Sequence, residues 1–140
     1  MGAVVRNSAG GVVAVRCMRK DGLTDPLVAE AWAGGQALKF GKELNLNNLI
    51  LEGDAKVVVE AVLSNAMNES KIGVLVEDMK LLLQDFPRCN VCAVGRAANT
   101  ATHVIARMAV NEYVKKTWLG TYPDCMHEIV LMESSSHSFD

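Results

Sequence analysis

Residues 49–54 read Leu-Ile-Leu-Glu-Gly-Asp, an apolar run that stops at two acidic residues flanking a glycine. Three consecutive apolar positions are typical of a central strand covered on both faces, because a half-exposed strand alternates apolar and polar residues. The next stretch, Ala55 to Leu63, predicts a short helix. A buried strand that leads directly into a helix indicates the α/β class.

Two antiparallel strands and a long helix are predicted upstream of this strand. The β-branched segments Gly2–Arg6 and Val12–Arg19 flank the turn-forming cluster Asn7–Gly10, which predicts a hairpin. Asp25 precedes a proline, the pattern of an N-cap followed by a first helical residue, and the helix continues to about Leu44.

Glycines and an asparagine mark the middle and the end of this long helix. Gly34-Gly35 weakens the intrinsic helicity, and close approach to a sheet would explain the pair. Asn45 can adopt the left-handed conformation that ends a helix.

The clearest periodicity lies downstream, between residues 72 and 86, and predicts an amphipathic helix that Pro87 ends. Cys89–Val94 is a last β-type run, and Asn99 can cap a final helix that extends to about Lys116. The predicted order is β-β-α-β-α-α-β-α. The apolar stripe of the amphipathic helix consists of Ile72, Leu75, Val76, Met79, Leu82, Leu83 and Phe86.

Length and composition restrict the possible classes of protein. The 140 residues fit one domain, predicted over residues 1–116, with a C-terminal extension over 117–140 whose serine-rich end we expect to be disordered. The net charge of −2 excludes a global basic field. We expect an intracellular protein of the cytoplasm or nucleus, not associated with membranes, with four free cysteines and no zinc site at Cys89-x-x-Cys92.

Four motifs follow one another along the chain: Gly2–Gly10, Ala29-Glu30-Ala31, Leu51-Glu52-Gly53-Asp54, and Arg96-Ala97-Ala98-Asn99 with His103. Together they resemble one family, the plant ribonuclease H-like domain of the reverse-transcriptase type. The resemblance covers nearly the whole chain up to Met108. It implies a mixed five-stranded sheet, Mg²⁺ or Mn²⁺ held by acidic residues, and hydrolysis of the RNA strand of RNA–DNA hybrids, with nucleic acid as the partner.

Two acidic residues match the catalytic acids of that family. Glu30 matches the acid on the long helix, and Asp54 matches the acid at the carboxyl end of the central strand, where ligands bind in open α/β sheets. Both are therefore our candidate catalytic and metal-binding residues. The alternatives are a solvated helix charge for Glu30 and an N-cap of the following helix for Asp54.

The chain also departs from the family pattern. The first acid of the family lies on a strand that precedes the hairpin, whereas no aspartate occurs here before Asp21. The last acid aligns with His103, a candidate catalytic residue whose neutral imidazole is a poor ligand for a hard cation; its alternative is an ordinary exposed histidine. We therefore expect impaired hydrolysis, because the loss of one carboxylate from a set that acts together removes most of the function.

Basic and amide side chains could contact phosphates if the family fold holds. The candidate nucleic-acid-binding residues are Arg16 and Arg19 on the second strand and Arg96 and Asn99 before the final helix. Ordinary solvated charges explain them equally well, since the chain has only 14 basic residues against 16 acidic ones.

Three hypotheses follow from the sequence. The first is a metal-dependent nuclease domain for RNA–DNA hybrids. The second is a non-catalytic relic of the fold that binds nucleic acid or a protein. The third is that Met1 is not the true start and that a longer product supplies the strand and acid the motifs lack.

Overall fold

The computed structural model of the protein describes residues 1–95, 100–111 and 115–137, which form five strands and five helices. They belong to two compact units, one made of Met1–Asp21 with Asn99–Asp140 and the other of Gly22–Ala98. We refer to them as the terminal unit and the central unit. Each contains its own cluster of buried apolar side chains. No helix in the described ranges has the length and hydropathy to cross a bilayer.

The terminal unit is built on a three-stranded antiparallel sheet. Strands β1 (Gly2–Arg6) and β2 (Val12–Met18) form the predicted hairpin. The side-chain oxygen of Asn7 accepts hydrogen bonds from the N–H groups of Ala9 and Gly11, at 3.1 and 2.9 Å, which fixes the turn. The other edge of β2 pairs with a strand near the C-terminus, β5 (Lys115–Leu119), so that β2 is the middle strand.

One face of this sheet packs against the C-terminal helices. Helix α4 (Thr100–Asn111) lies on β1 and β2, and a 3-10 turn (Asp124–Met126) leads into helix α5 (His127–His137). The apolar cluster beneath them excludes water from the sheet face on which α4 packs. We call it the terminal core; its buried members are Val15, Cys17, Ala101, Ile105 and Met126.

The central unit begins with the predicted long helix, α1 (Pro26–Glu43). The side chain of Asp25 accepts hydrogen bonds from the N–H groups of Leu27 and Val28, at 2.8 and 3.2 Å, which satisfies two N–H groups that have no partner inside the helix. Asn45 has a φ of 57°, the predicted left-handed conformation beyond the end of the helix. Both signals at the ends of α1 are confirmed.

Strands β3 (Asn48–Gly53) and β4 (Arg88–Ala93) of this unit pair in parallel. Helices α2 (Lys56–Leu63) and α3 (Gly73–Leu83) connect them, and α3 carries the predicted apolar stripe. We call the buried cluster that these helices share with α1 and the two strands the central core. Its buried members are Ala31, Leu38, Val58, Val62, Ile72, Val76, Met79 and Phe86.

The sheet differs from the predicted order in two respects. The order β-β-α-β-α-α-β-α contains four strands, whereas the described residues form five, in sheets of three and two, because β2 also pairs with β5 while β3 pairs with β4. In the part of the chain that the structure describes, β3 is not covered on both faces. Leu49 and Leu51 pack against the central core, whereas Ile50 is 64% exposed.

Two predictions about helices differ from the structure. A Cβ atom at Gly34 would lie 2.6 Å from the terminal methyl of Met79, so at this position the glycine allows α1 to approach helix α3 rather than a sheet. The final helix is described as far as Asn111 and does not reach Lys116, because β5 begins at Lys115. Helix α5 includes the serines at 134–136, and the domain boundary after residue 116 and the disordered end stay predictions.

The N-cap of α1 gives a prediction about pH. The ammonium group of Lys71 hydrogen-bonds the carboxylate of Asp25 and, with the N–H groups of Val28 and Leu27, holds the pKa of Asp25 below its ordinary value. A lowered folded-state pKa stabilises the protein above the unfolded-state pKa, and this contribution is lost as the pH falls through the folded-state pKa. We expect Asp25→Ala to lower the melting temperature at neutral pH by a few degrees.

The matched variant is Asp25→Asn, whose amide oxygen can still accept the cap hydrogen bonds. Its melting temperature should fall less than that of the wild type between about pH 7 and about pH 3, because the charge-dependent contribution is already absent. Equal acid sensitivity of the wild type and Asp25→Asn, measured by thermal unfolding, would contradict this account.

Candidate functional site

Asp54 occupies the bend between β3 and α2 in the central unit. Its side chain is half-buried and lies just past the carboxyl end of a parallel strand, as the sequence predicts. The N-cap position of α2 is occupied by Ala55 and not by Asp54; the carbonyl of Ala55 accepts hydrogen bonds from the N–H groups of Val58 and Val59, each at 3.1 Å.

Glu30 lies in the second turn of α1, in the same unit as Asp54. It is half-buried, and the next residue, Ala31, is a fully buried member of the central core. Helix α1 packs against both β3 and α2, the two elements on either side of Asp54. The structure therefore assigns both candidate acids to one compact unit, and the environment of Glu30 is not that of a fully solvated helix charge.

The donor set does not fit a two-ion metal centre. Among the residues that the structure describes, no group of three or more histidine, cysteine, aspartate or glutamate side chains is placed to hold a metal ion. A two-ion centre needs carboxylates that both ions share, with the ions about 3.5–4 Å apart. Glu30 and Asp54 provide only two carboxylates, and an imidazole from His103 would not replace a third, since Mg²⁺ prefers oxygen ligands.

The cysteine pair on β4 is not a metal site either. Cys89 stands opposite Leu49 and packs against the central core, whereas Cys92 stands opposite Glu52 on the other face of the strand pair. Burial raises the pKa of the Cys89 thiol, and it does the same for Cys17 in β2. Buried thiols with a raised pKa are poor nucleophiles and poor ligands.

The remaining predicted site residues are His103, Arg96, Asn99, Arg16 and Arg19. His103 lies on α4, but its side chain is outside the part of the chain that the structure describes, as are Arg96 and Asn99 altogether. Arg16 is 7% exposed, and its Nε donates to the hydroxyl of Thr117 on β5 at 2.9 Å. This guanidinium is largely withdrawn from solvent, so it supports a phosphate contact less well than Arg19 does.

Arg19 follows the end of β2 and is more accessible. Its Nε lies 3.4 Å from the carboxylate of Asp21, which is almost fully exposed. Sequence reasoning missed that β5 brings two lysines, Lys115 and Lys116, to the same end of β2. The signal available in the sequence was the β-type run 117–119 followed by Gly120. In the structure Gly120 has a φ of 71°, which marks a turn.

Comparison with known proteins finds a family model and a solved structure that are similar to this chain. A protein-family model described as reverse transcriptase-like matches residues 1–109 of this chain. The crystal structure of RNase H1 from the halophilic archaeon Halobacterium salinarum NRC-1 superposes with a TM-score of 0.72 at 22% identity, covering 79% of this chain and 84% of that one. No curated protein gave a significant match. The likeness confirms the predicted ribonuclease H-like fold.

Proposed function

This chain belongs to the reverse transcriptase-like family, and from that membership we propose that it binds RNA–DNA hybrids and that its hydrolysis of the RNA strand is impaired. The observation that carries the proposal is the place of Asp54, half-buried just beyond the carboxyl end of β3 and ahead of Ala55, the N-cap residue of α2. Ligand sites of open α/β sheets are built at that end of the strands.

The packing of the central unit supports a role for both acids. Glu30 and Asp54 are carried by α1 and by the loop between β3 and α2, elements that pack together through the central core. A scaffold of this kind can hold the two side chains in fixed positions.

The proposed impairment of hydrolysis follows from the same two carboxylates. Metal-assisted phosphodiester hydrolysis depends on several carboxylates that act as one unit, and removing one member usually costs nearly the whole rate. Glu30 and Asp54 are the two carboxylates that match the family, no group of three or more metal-binding side chains is found among the described residues, and the position that aligns with the last family acid is occupied by His103. We therefore propose that binding of the hybrid is the main activity of this chain and that hydrolysis is weak.

The test measures binding and cleavage of one labelled RNA–DNA hybrid, in Mg²⁺ and in Mn²⁺. We expect measurable binding and slow cleavage by the wild type, and a further fall of about tenfold in cleavage for Asp54→Asn, equivalent to about 1.4 kcal/mol in activation free energy. The matched control is Asp78→Asn, which removes the same charge from an exposed position on α3. Cleavage by Asp54→Asn equal to that of Asp78→Asn would exclude Asp54 from the site.

A second candidate function is a binding domain without any catalytic turnover. The incomplete donor set favours it, and the same experiment separates the two. Hybrid binding with no cleavage by the wild type in either metal would support the binding domain. Rapid metal-dependent turnover by the wild type would exclude both the binding domain and the proposed impairment.

A further inference from the structure

Four basic residues meet at one end of the β2–β5 pair in the terminal unit. Lys115, the first residue of β5, stands opposite Met18, the last residue of β2. Arg19 and Lys20 continue the chain from β2 at this end, and Lys116 follows Lys115 on the adjacent strand. We call Arg19, Lys20, Lys115 and Lys116 the basic end of the sheet. Residues almost a hundred positions apart in sequence form it, so no local motif reveals it.

The basic end is accessible and borders an aromatic ring. Lys20, Lys115 and Lys116 are exposed. The ammonium group of Lys116 lies 5.2 Å from the ring centroid of Trp118, within the range of a cation–π contact. Trp118 in turn packs against the terminal core, so its ring is a fixed support for the lysine.

Protection of a sheet edge does not explain all four residues. Lysines on an edge strand commonly prevent pairing with another sheet, and β5 is an edge strand. Arg19 and Lys20, however, follow β2, which is the middle strand. They add positive charge where there is no edge to protect.

The concentration of charge is also local. The whole chain has a net charge of −2, yet four cations stand at the ends of two neighbouring strands, where strands lie about 4.8 Å apart. The backbones of neighbouring strands lie closer together than the Debye length of about 8 Å at physiological salt, so charges carried at this end of β2 and β5 are only partly screened from one another, although Lys115 and Lys116 point to opposite faces of the strand. Asp21 offsets one of the four charges through its contact with Arg19. A surface that concentrates positive charge in this way complements a polyanion.

We propose that the basic end binds the phosphate backbone of a nucleic acid duplex, as a contact additional to the acidic residues of the central unit; the proposal rests on the hybrid binding proposed above. Lysines contact phosphates as point charges and do not read sequence. The contact should therefore strengthen binding equally for hybrids of different sequence, and it should weaken as salt rises.

The test compares the salt dependence of hybrid binding for the wild type and for Lys115→Gln/Lys116→Gln. We expect the slope of log Kobs against log salt to become shallower by about 2, because each phosphate contact contributes about 0.9. Raising salt from about 50 to about 200 mM should then cost the variant about 12-fold less affinity than it costs the wild type. The control is Lys39→Gln/Lys42→Gln on α1, which removes the same charge from the central unit.

Each outcome decides between the proposals. A shallower slope for the β5 variant, with the α1 variant unchanged, supports the basic end as a phosphate contact. Salt-dependent hybrid binding that is the same in all three proteins would overturn this inference and leave the proposed function standing. No hybrid binding by the wild type would overturn both.

A spectroscopic measurement does not depend on substituting the lysines. The chain has two tryptophans, so Trp32→Phe leaves Trp118 as the single emitter. A phosphate that engages Lys116 changes the charge next to this ring, and we expect the emission of Trp118 to shift with the same midpoint as hybrid binding. Emission that stays constant up to saturation would contradict a contact at Lys116.

Discussion

Leu38→Ala is expected to lower the free energy of unfolding by about 2–5 kcal/mol. Leu38 lies on α1 with no exposed surface and belongs to the central core. Alanine removes the branched end of the side chain from this cluster, and the neighbours collapse only partly into the space. The cost is therefore the lost transfer free energy together with the cost of the cavity. Urea unfolding followed by circular dichroism measures it.

The matched variant is Leu81→Ala on α3. Leu81 is 63% exposed, so the same change of side chain removes little buried surface and should cost less than about 1 kcal/mol. Comparable losses for both substitutions would mean that the exposed face of α3 is covered, which would contradict the packing described for the central unit. The comparison thus tests which face of α3 forms the core.

Sequence patterns predicted those parts of the fold whose signals are local. The apolar stripe of α3 repeats every three or four residues, and its buried positions, such as Val76 and Met79, are members of the central core. The ends of α1 were predicted equally well, since Asp25 and Asn45 act on the few residues next to them. Hairpin β1–β2 closes through a short turn held by Asn7, and it too needs no distant partner.

Strand pairing at a distance was not predictable in this way. Strand β5 pairs with β2 across almost the whole chain, and nothing in the sequence of residues 115–119 specifies that partner. The run Leu49–Leu51 predicted a strand covered on both faces, but coverage depends on which elements reach the second face. Ile50 remains exposed, so three apolar residues in a row did not indicate two-sided burial.

The candidate site was predicted to a similar extent. The position of Asp54 after a strand follows from the apolar run and the glycine that precedes it, and the structure has that order. The burial of Arg16 was not predictable, because it depends on the alternation of faces along β2 and on Thr117 of a strand that the sequence had assigned to an extension. The basic end was not predicted either, because it too depends on the pairing of β2 with β5.

Gly2→Ala should destabilise the protein by about 2–3 kcal/mol, although it adds a single methyl group. A Cβ atom at Gly2 would lie 2.3 Å from the carbonyl oxygen of Thr102, 2.7 Å from the Cβ of Ile105 and 2.9 Å from the backbone nitrogen of Ala106. These atoms belong to the backbone and the first side-chain carbon of α4, so no flexible side chain can move aside. Strand β1 and helix α4 must separate instead, which disrupts the terminal core.

Gly95→Ala is the matched control, because a Cβ atom there meets none of the described atoms within 4 Å and the residue has no positive φ. Alanine at this position reduces the freedom of the unfolded chain and should be neutral or stabilising by up to about 1 kcal/mol. Opposite signs for the two substitutions in urea unfolding would show that Gly2 is required by close packing and not by backbone flexibility. A loss below about 0.5 kcal/mol for Gly2→Ala would instead mean that β1 approaches α4 less closely in solution, and the packing assigned to the terminal unit would be wrong at that contact.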